Sequence, residues 1–93
     1  MNGKKAVHAI ISGRVQGVFF RMETRQAAER IGVFGWVRNR ADGTVEAVFE
    51  GESKKVDQSL DWCKKGPPMA SVANLKIDEI EYTGEYTNFL IRS

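Results

Sequence analysis

The sequence predicts an α+β fold in which two helices cover one face of an antiparallel sheet. Three observations carry this. Strand-like apolar runs alternate with two amphipathic stripes at helical spacing. The pair Asp42-Gly43 marks a hairpin between two such runs. Gly32 and Gly66-Pro67-Pro68 close the two helical stripes. In order, the elements are β-α-β-β-α-β with a short extra strand, the split βαβ or ferredoxin-like arrangement.

The first strand is read over Lys5 to Ser12, a run rich in β-branched and apolar residues. Gly13 to Phe20 holds two glycines four apart and reads as a loop with unusual backbone angles. From Phe20 to Ile31, the positions Phe20, Thr24, Ala27, Ala28 and Ile31 form one stripe of a helix, and Gly32 suits its C-terminal cap. Val33 to Arg40 reads as the second strand. After the hairpin, Thr44 to Gly51 alternates, with Val45, Ala47 and Phe49 on one face and Val48 as the exception.

Ser53 is the expected N-cap of the second helix, whose stripe is Val56, Leu60 and Cys63 with Trp62 beside it. Lys64 and Lys65 suit its negative end, and Pro67-Pro68 enforces the stop. Val72 to Tyr82 is a long strand whose apolar residues change parity, which a bulge near Asp78-Glu79 would reconcile. Thr87 to Arg92 is a last short strand. Strands one and two, joined through a helix, run parallel with another strand between them. Their carboxyl ends then emerge on one edge, and the loop at 13–20 comes near Asn39.

Composition sets limits on function. The 93 residues form one expected domain, 1–93, and carry 14 Lys+Arg against 12 Asp+Glu, a net charge of +2. That charge is too small to imply nucleic acid. No apolar run approaches the roughly 18–20 residues that span a bilayer, and Met1 to Lys5 does not open a signal peptide. One cysteine, Cys63, excludes an internal disulfide framework, and the default compartment is the reducing cytoplasm. One histidine, His8, excludes His-rich metal sites, so the expectation is no metal and no cofactor. An enzyme with this inventory must work with arginine, amides, backbone N–H groups and water.

Gly13 to Arg21 is the first place to look. A glycine-containing loop opening onto a helix N-terminus presents N–H groups without intrahelical partners, and the helix dipole adds positive potential. Gly13 and Gly17 permit positive φ, so successive N–H groups can converge into a nest. The loop is neither a Walker A sequence nor G-x-G-x-x-G. Arg21 lies in the first helical turn, where a cation opposes the dipole by about 0.3–1 kcal/mol. A phosphate between the amides and the guanidinium reverses that penalty. A plain connector with a solvated arginine explains the same residues. Asn39 offers a carbonyl acceptor and an amide donor that can hold a water, or it is an ordinary polar residue near a hairpin.

These residues resemble a known family. Gly13-Arg14-Val15-Gln16-Gly17-Val18-Phe19-Phe20-Arg21 is similar to the G-R-V-Q-G-V-x-F-R segment of acylphosphatases. Gly35 to Glu46 (GWVRNRADGTVE) is similar to their G-W-V-x-N-x-x-D-G-x-V-E signature, and Gly66 to Val72 resembles a third, weaker stretch. The agreement in order and spacing runs across nearly the whole chain. The resemblance implies a ferredoxin-like fold and metal-free hydrolysis of small acyl phosphates. It implies that Arg21 binds phosphate, that the amides of Val15, Gln16, Gly17, Val18, Phe19 and Phe20 form the cradle, and that Asn39 orients the attacking water. Inorganic phosphate, the product, is then the expected competitive inhibitor.

The chemistry fits the inventory. An acyl phosphate is a mixed anhydride whose leaving carboxylate has a parent pKa of about 4 and departs without a proton donor. The remaining work is positioning and charge stabilisation. Other residues take structural readings. His8 belongs to a sheet surface, Cys63 to the core, and Trp36 and Trp62 to core or half-buried anchors. Arg14, Arg38 and Arg40 either raise the potential around the site or are solvated. Two other functions remain in view. One is the acyl-phosphate-processing module that opens large hydrogenase-maturation carbamoyltransferases, against which the chain's length speaks. The other is a non-catalytic anion- or RNA-binding module. An RNA-recognition sheet needs exposed aromatics on its first and third strands, and Lys5 to Ser12 has none. A monomer without nucleic-acid or membrane partners is expected.

Overall fold

A computed structural model describes residues 3–93, so part of the N-terminal reading, Met1 and Asn2, lies outside it. The elements are β1 (Lys4–Arg14), α1 (Phe20–Ile31), β2 (Phe34–Asn39), β3 (Val45–Glu52), α2 (Ser53–Lys65), β4 (Ser71–Ile80) and β5 (Phe89–Arg92). The sheet order is β4-β1-β3-β2-β5. β1 lies antiparallel to both β3 and β4, and β2 antiparallel to β3. β5 adds to β2 in parallel, so the sheet is mixed rather than wholly antiparallel.

One face of the sheet carries the core. Val7, Ala9 and Ile11 of β1 pair with Phe49, Ala47 and Val45 of β3, and all six are buried. The buried stripes of α1 (Phe20, Thr24, Ala27, Ala28) and α2 (Val56, Ser59, Leu60, Cys63) lie against this core. Each fully buried large apolar side chain contributes about 1.5–3 kcal/mol. Phe20 packs on Trp62 with ring centroids 5.8 Å apart, and Phe49 stacks on Phe89 at 5.4 Å. Cys63 is buried, and burial pushes its thiol up to about 12.

The opposite face is polar, with one apolar patch. Val48 pairs there with Trp36, which explains the break in β3's alternation. Arg92 lies 4.8 Å from the Trp36 ring centroid, and the indole N–H donates to the Tyr86 hydroxyl (3.3 Å). His8 meets Glu46 at 2.6 Å, and Arg38 Nε donates to the same carboxylate at 2.6 Å. Burial pushes the Glu46 carboxyl up, but the hydrogen bonds from His8 and Arg38 outweigh it and hold its pKa below the usual value. Arg38 is thus engaged in an ion pair on this face.

Three local expectations are corrected. β1 runs past Ser12 through Gly13 to Arg14, so Gly13 belongs to a strand and not to the loop. Its φ is 120°, and a Cβ there would lie 2.3 Å from the Ser71 carbonyl oxygen. Glycine is needed because β4 approaches closely, not to shape an anion nest. The bulge lies at the other end of β4 from the expected one. Ser12 pairs with Asn74 but Gly13 with Val72, leaving Ala73 as the extra residue. That shift puts both Val72 and Leu75, three apart, against the core. Ser53 is the first residue of α2 rather than its N-cap; its N–H donates to the Gly3 carbonyl (2.7 Å), and Glu52 holds the cap position.

Candidate functional site

β1 and β2 run parallel with β3 between them, and their carboxyl ends meet at one edge of the sheet. There the segment 15–19 leaves β1 and turns into α1. Val15 and Val18 are buried in the core and anchor this loop from below. Gly17 adopts φ 74° and Phe19 φ 64°, the latter being the non-glycine residue with positive φ among the described residues. Phe19 is the N-cap of α1 yet makes no side-chain cap bond. The first cap hydrogen bond runs from the Glu23 N–H to the Phe19 carbonyl (2.9 Å). The N–H groups of Phe20, Arg21 and Met22 therefore have no partner within the helix.

A cavity of about 350 Å³ opens at this point. Val15, Gly17, Phe20 and Arg21 line it from the loop and the first turn of α1, and Asn39 lines it from the last position of β2. Among the described residues, no carboxylate lies within salt-bridge distance of Arg21. Asn39 Oδ1 is buried and has no hydrogen-bond partner. Among the described residues, the other such side-chain atom is Thr24 Oγ1, on the buried stripe of α1. An unpartnered buried carbonyl costs about 1–3 kcal/mol, so it marks a place where a further donor belongs.

Gln16 and Val18 belong to the loop, but their side chains turn away from the cavity, that of Val18 into the core. The Gln16 side chain instead reaches across to the hairpin that follows Asn39. Its Nε2 donates to the carbonyls of Arg40 (2.8 Å) and Thr44 (2.9 Å). The hairpin is closed by Arg40 N–H to Thr44 carbonyl (2.8 Å) and Gly43 N–H to Arg40 carbonyl (3.2 Å). Hydrogen bonds from the Thr44 hydroxyl and amide hold the Asp42 carboxyl below its usual pKa. Gln16 thus links the loop to the strand end that carries Asn39. Sequence reasoning placed Gln16 by its backbone amide only. It also missed Met22 and Ile91, which line the same cavity from α1 and β5. No local signal marks either residue, since only the pairing of β5 with β2 brings Ile91 here.

The acylphosphatase family model matches residues 7–91. The chain belongs to the acylphosphatase family. It is 52% identical over 84 residues to an acylphosphatase of Pelotomaculum thermopropionicum, covering 90% of this chain and 91% of that one. An acylphosphatase of Syntrophus aciditrophicus is 54% identical over 87 residues, covering 94% and 91%. The solved structure of an acylphosphatase from Coxiella burnetii superposes with a TM-score of 0.91 at 39% identity, over 97% of this chain and 94% of that one.

The acylphosphatase reaction, hydrolysis of an acyl phosphate to a carboxylate and inorganic phosphate, is accordingly the activity of this chain. A non-catalytic RNA-binding sheet is not favoured, and Phe49 of β3, 1% exposed, offers no stacking platform. No helix among the described residues is long and apolar enough to cross a membrane.

Proposed function

We propose that the loop amides of Val15 to Phe20, together with Arg21, hold the phosphoryl group of a small acyl phosphate, and that Asn39 orients the attacking water. One observation carries this reading: an arginine without a carboxylate partner among the described residues and a buried, unpartnered amide oxygen line the same cavity at a helix N-terminus.

The dipole end of α1 and the guanidinium offset charge on the equatorial phosphoryl oxygens. Asn39 Oδ1 accepts a hydrogen bond from a water and fixes its lone pair toward phosphorus, opposite the leaving oxygen. The P–O bond to the carboxyl group breaks and the carboxylate leaves without a proton. The water's proton passes to a phosphoryl oxygen of the substrate, so no protein base is required. No metal or cofactor takes part in these steps. Inorganic phosphate fits the same cradle and inhibits competitively. The loop, α1 and β2 that supply these residues pack on one core, in keeping with a single domain, 1–93, and the expected state is a monomer. A free, buried Cys63 supports a reducing, cytoplasmic setting.

The test is hydrolysis of benzoyl phosphate with a chelator present, with p-nitrophenyl phosphate as the contrast. Hydrolysis of the first alone is expected, because an aryl monoester lacks the carboxylate leaving group. Arg21→Ala should lose both activity and phosphate binding while its folding transition is kept. A requirement for added metal, or near-normal turnover by Arg21→Ala, would overturn the proposal.

A further inference from the structure

The proposed site fixes the phosphoryl end of the substrate and leaves the acyl end unassigned. The mouth of the cavity supplies a candidate for the missing half. Three of its lining side chains are apolar and exposed: Phe19 (62%), Met22 (44%) and Ile91 (37%). They come from three places in the chain, the loop, α1 and β5. Single exposed apolar side chains are ordinary on a protein surface. Three gathered on one cavity beside a polar anchor form a ligand surface.

Phe19 carries the argument further. At an N-cap, Ser, Thr, Asp or Asn would satisfy a free N–H group, and Asn or Gly would accept a φ of 64° with less strain. This chain instead places an exposed benzyl group there and makes no cap bond. Strained residues of this kind cluster at ligand clamps. Charge complements the picture. Among the described residues, Arg21 is the one charged residue lining the cavity, and in the reading above it is engaged by the phosphoryl group. The side chains of Phe19 and Ile91 offer a polar acyl group no hydrogen-bond partner, and Met22 only a weak thioether acceptor. Size agrees as well: at about 350 Å³ the cavity falls within the roughly 300–1,000 Å³ typical of small-ligand sites.

We propose that Phe19, Met22 and Ile91 form the acyl subsite and select aromatic or branched aliphatic acyl phosphates over acetyl or carbamoyl phosphate. This rests on the phosphoryl position proposed above, and the experiment separates the two. It measures kcat/KM for benzoyl and acetyl phosphate in the wild type, Met22→Ala, Ile91→Ser, the double variant of these, and Phe19→Asn, chosen because Asn tolerates positive φ. The benzoyl-to-acetyl ratio should fall about 10-fold in at least one single variant and further in the double variant. A ratio is insensitive to a reduced folded fraction.

Inhibition by inorganic phosphate, which has no acyl group, should weaken far less than benzoyl phosphate turnover. A ratio within about twofold of wild type in every variant overturns the subsite, twofold being far below a methylene's worth of discrimination. So does phosphate inhibition that weakens in step with turnover. If Arg21→Ala is inactive on both substrates in that case, the phosphate site stands and only the subsite falls. If Arg21→Ala stays active, both fall.

Discussion

Gln16 gives the sharpest link between local hydrogen bonding and the site. Its amide donates two bonds, at 2.8 and 2.9 Å, to the carbonyls of Arg40 and Thr44. Each neutral bond contributes about 1 kcal/mol net. Both carbonyls keep a second partner after truncation, because Gly43 N–H bonds to Arg40 and Arg40 N–H bonds to Thr44. No stranded acceptor adds its desolvation cost, so Gln16→Ala should cost about 2 kcal/mol rather than twice that. Gln16→Glu removes the donor and turns a carboxylate toward two carbonyl oxygens. It should cost more than the alanine variant near neutral pH and recover part of the loss in acid, where the protonated carboxyl donates once. Urea unfolding reads both values. Kinetically, loosening the loop from the Asn39 strand end should lower kcat as well as raise KM. A stability loss under about 0.5 kcal/mol for Gln16→Ala, below that of one hydrogen bond, or a Gln16→Glu protein as stable as wild type, would refute the donor role.

Three further outcomes are expected. Asn39→Ala should lower kcat by about 100-fold, the usual scale for losing a positioned reactant, while phosphate inhibition stays near wild type; equal losses in both would contradict water positioning. Glu46→Gln should be less stable than wild type at neutral pH. A folded-state pKa below the unfolded value stabilises above the unfolded pKa, and the gain is lost as pH falls through the folded pKa. The Glu46 shift is downward, so the wild-type advantage in urea unfolding should be complete above about pH 5 and shrink below about pH 4; a pH-independent difference would exclude the His8–Glu46–Arg38 network as its source. Cys63, buried with its pKa pushed up to about 12, should resist a thiol reagent in mildly alkaline buffer and react fully in urea, and stoichiometric labelling of the native protein would contradict its place in the core.

What the sequence disclosed depended on whether a feature was local. The bounds of α1, Phe20–Ile31, follow from one apolar stripe and a glycine cap at φ 98°, and both lie within the segment itself. The hairpin at Asp42-Gly43 is equally local. The bulge is a relation between two strands, and parity alone misplaced it. With no bulge near Asp78-Glu79, Ile80 pairs with Ala6 and is 41% exposed. Four residues of β5 carry no sign of direction, so its parallel pairing with β2 was not legible. Candidate residues within two contiguous motifs, Val15 to Arg21 and Asn39, could be named from the sequence. The Gln16 side-chain bonds, spanning 24 and 28 positions, and the arrival of Ile91 could not.

The candidate site is also where this chain departs most from its own local rules. Phe19 holds a left-handed conformation without capping the helix. Arg21 sits at the helix end that repels cations, with no carboxylate within reach among the described residues. Asn39 keeps a buried oxygen without a partner. Each departure costs about 0.3–3 kcal/mol in the unliganded protein. In a connector that only joined a strand to a helix, a small polar cap at position 19 and an uncharged or acidic residue at position 21, beside the acid already present at Glu23, would avoid the first two at once. A bound anion relieves the electrostatic cost at Arg21, and a water held at phosphorus satisfies Asn39, while neither relieves the backbone at Phe19. That backbone serves the proposed phosphate cradle, and the exposed ring does not, so on the proposal above the ring's contribution should appear in selectivity between acyl groups and not in affinity for phosphate.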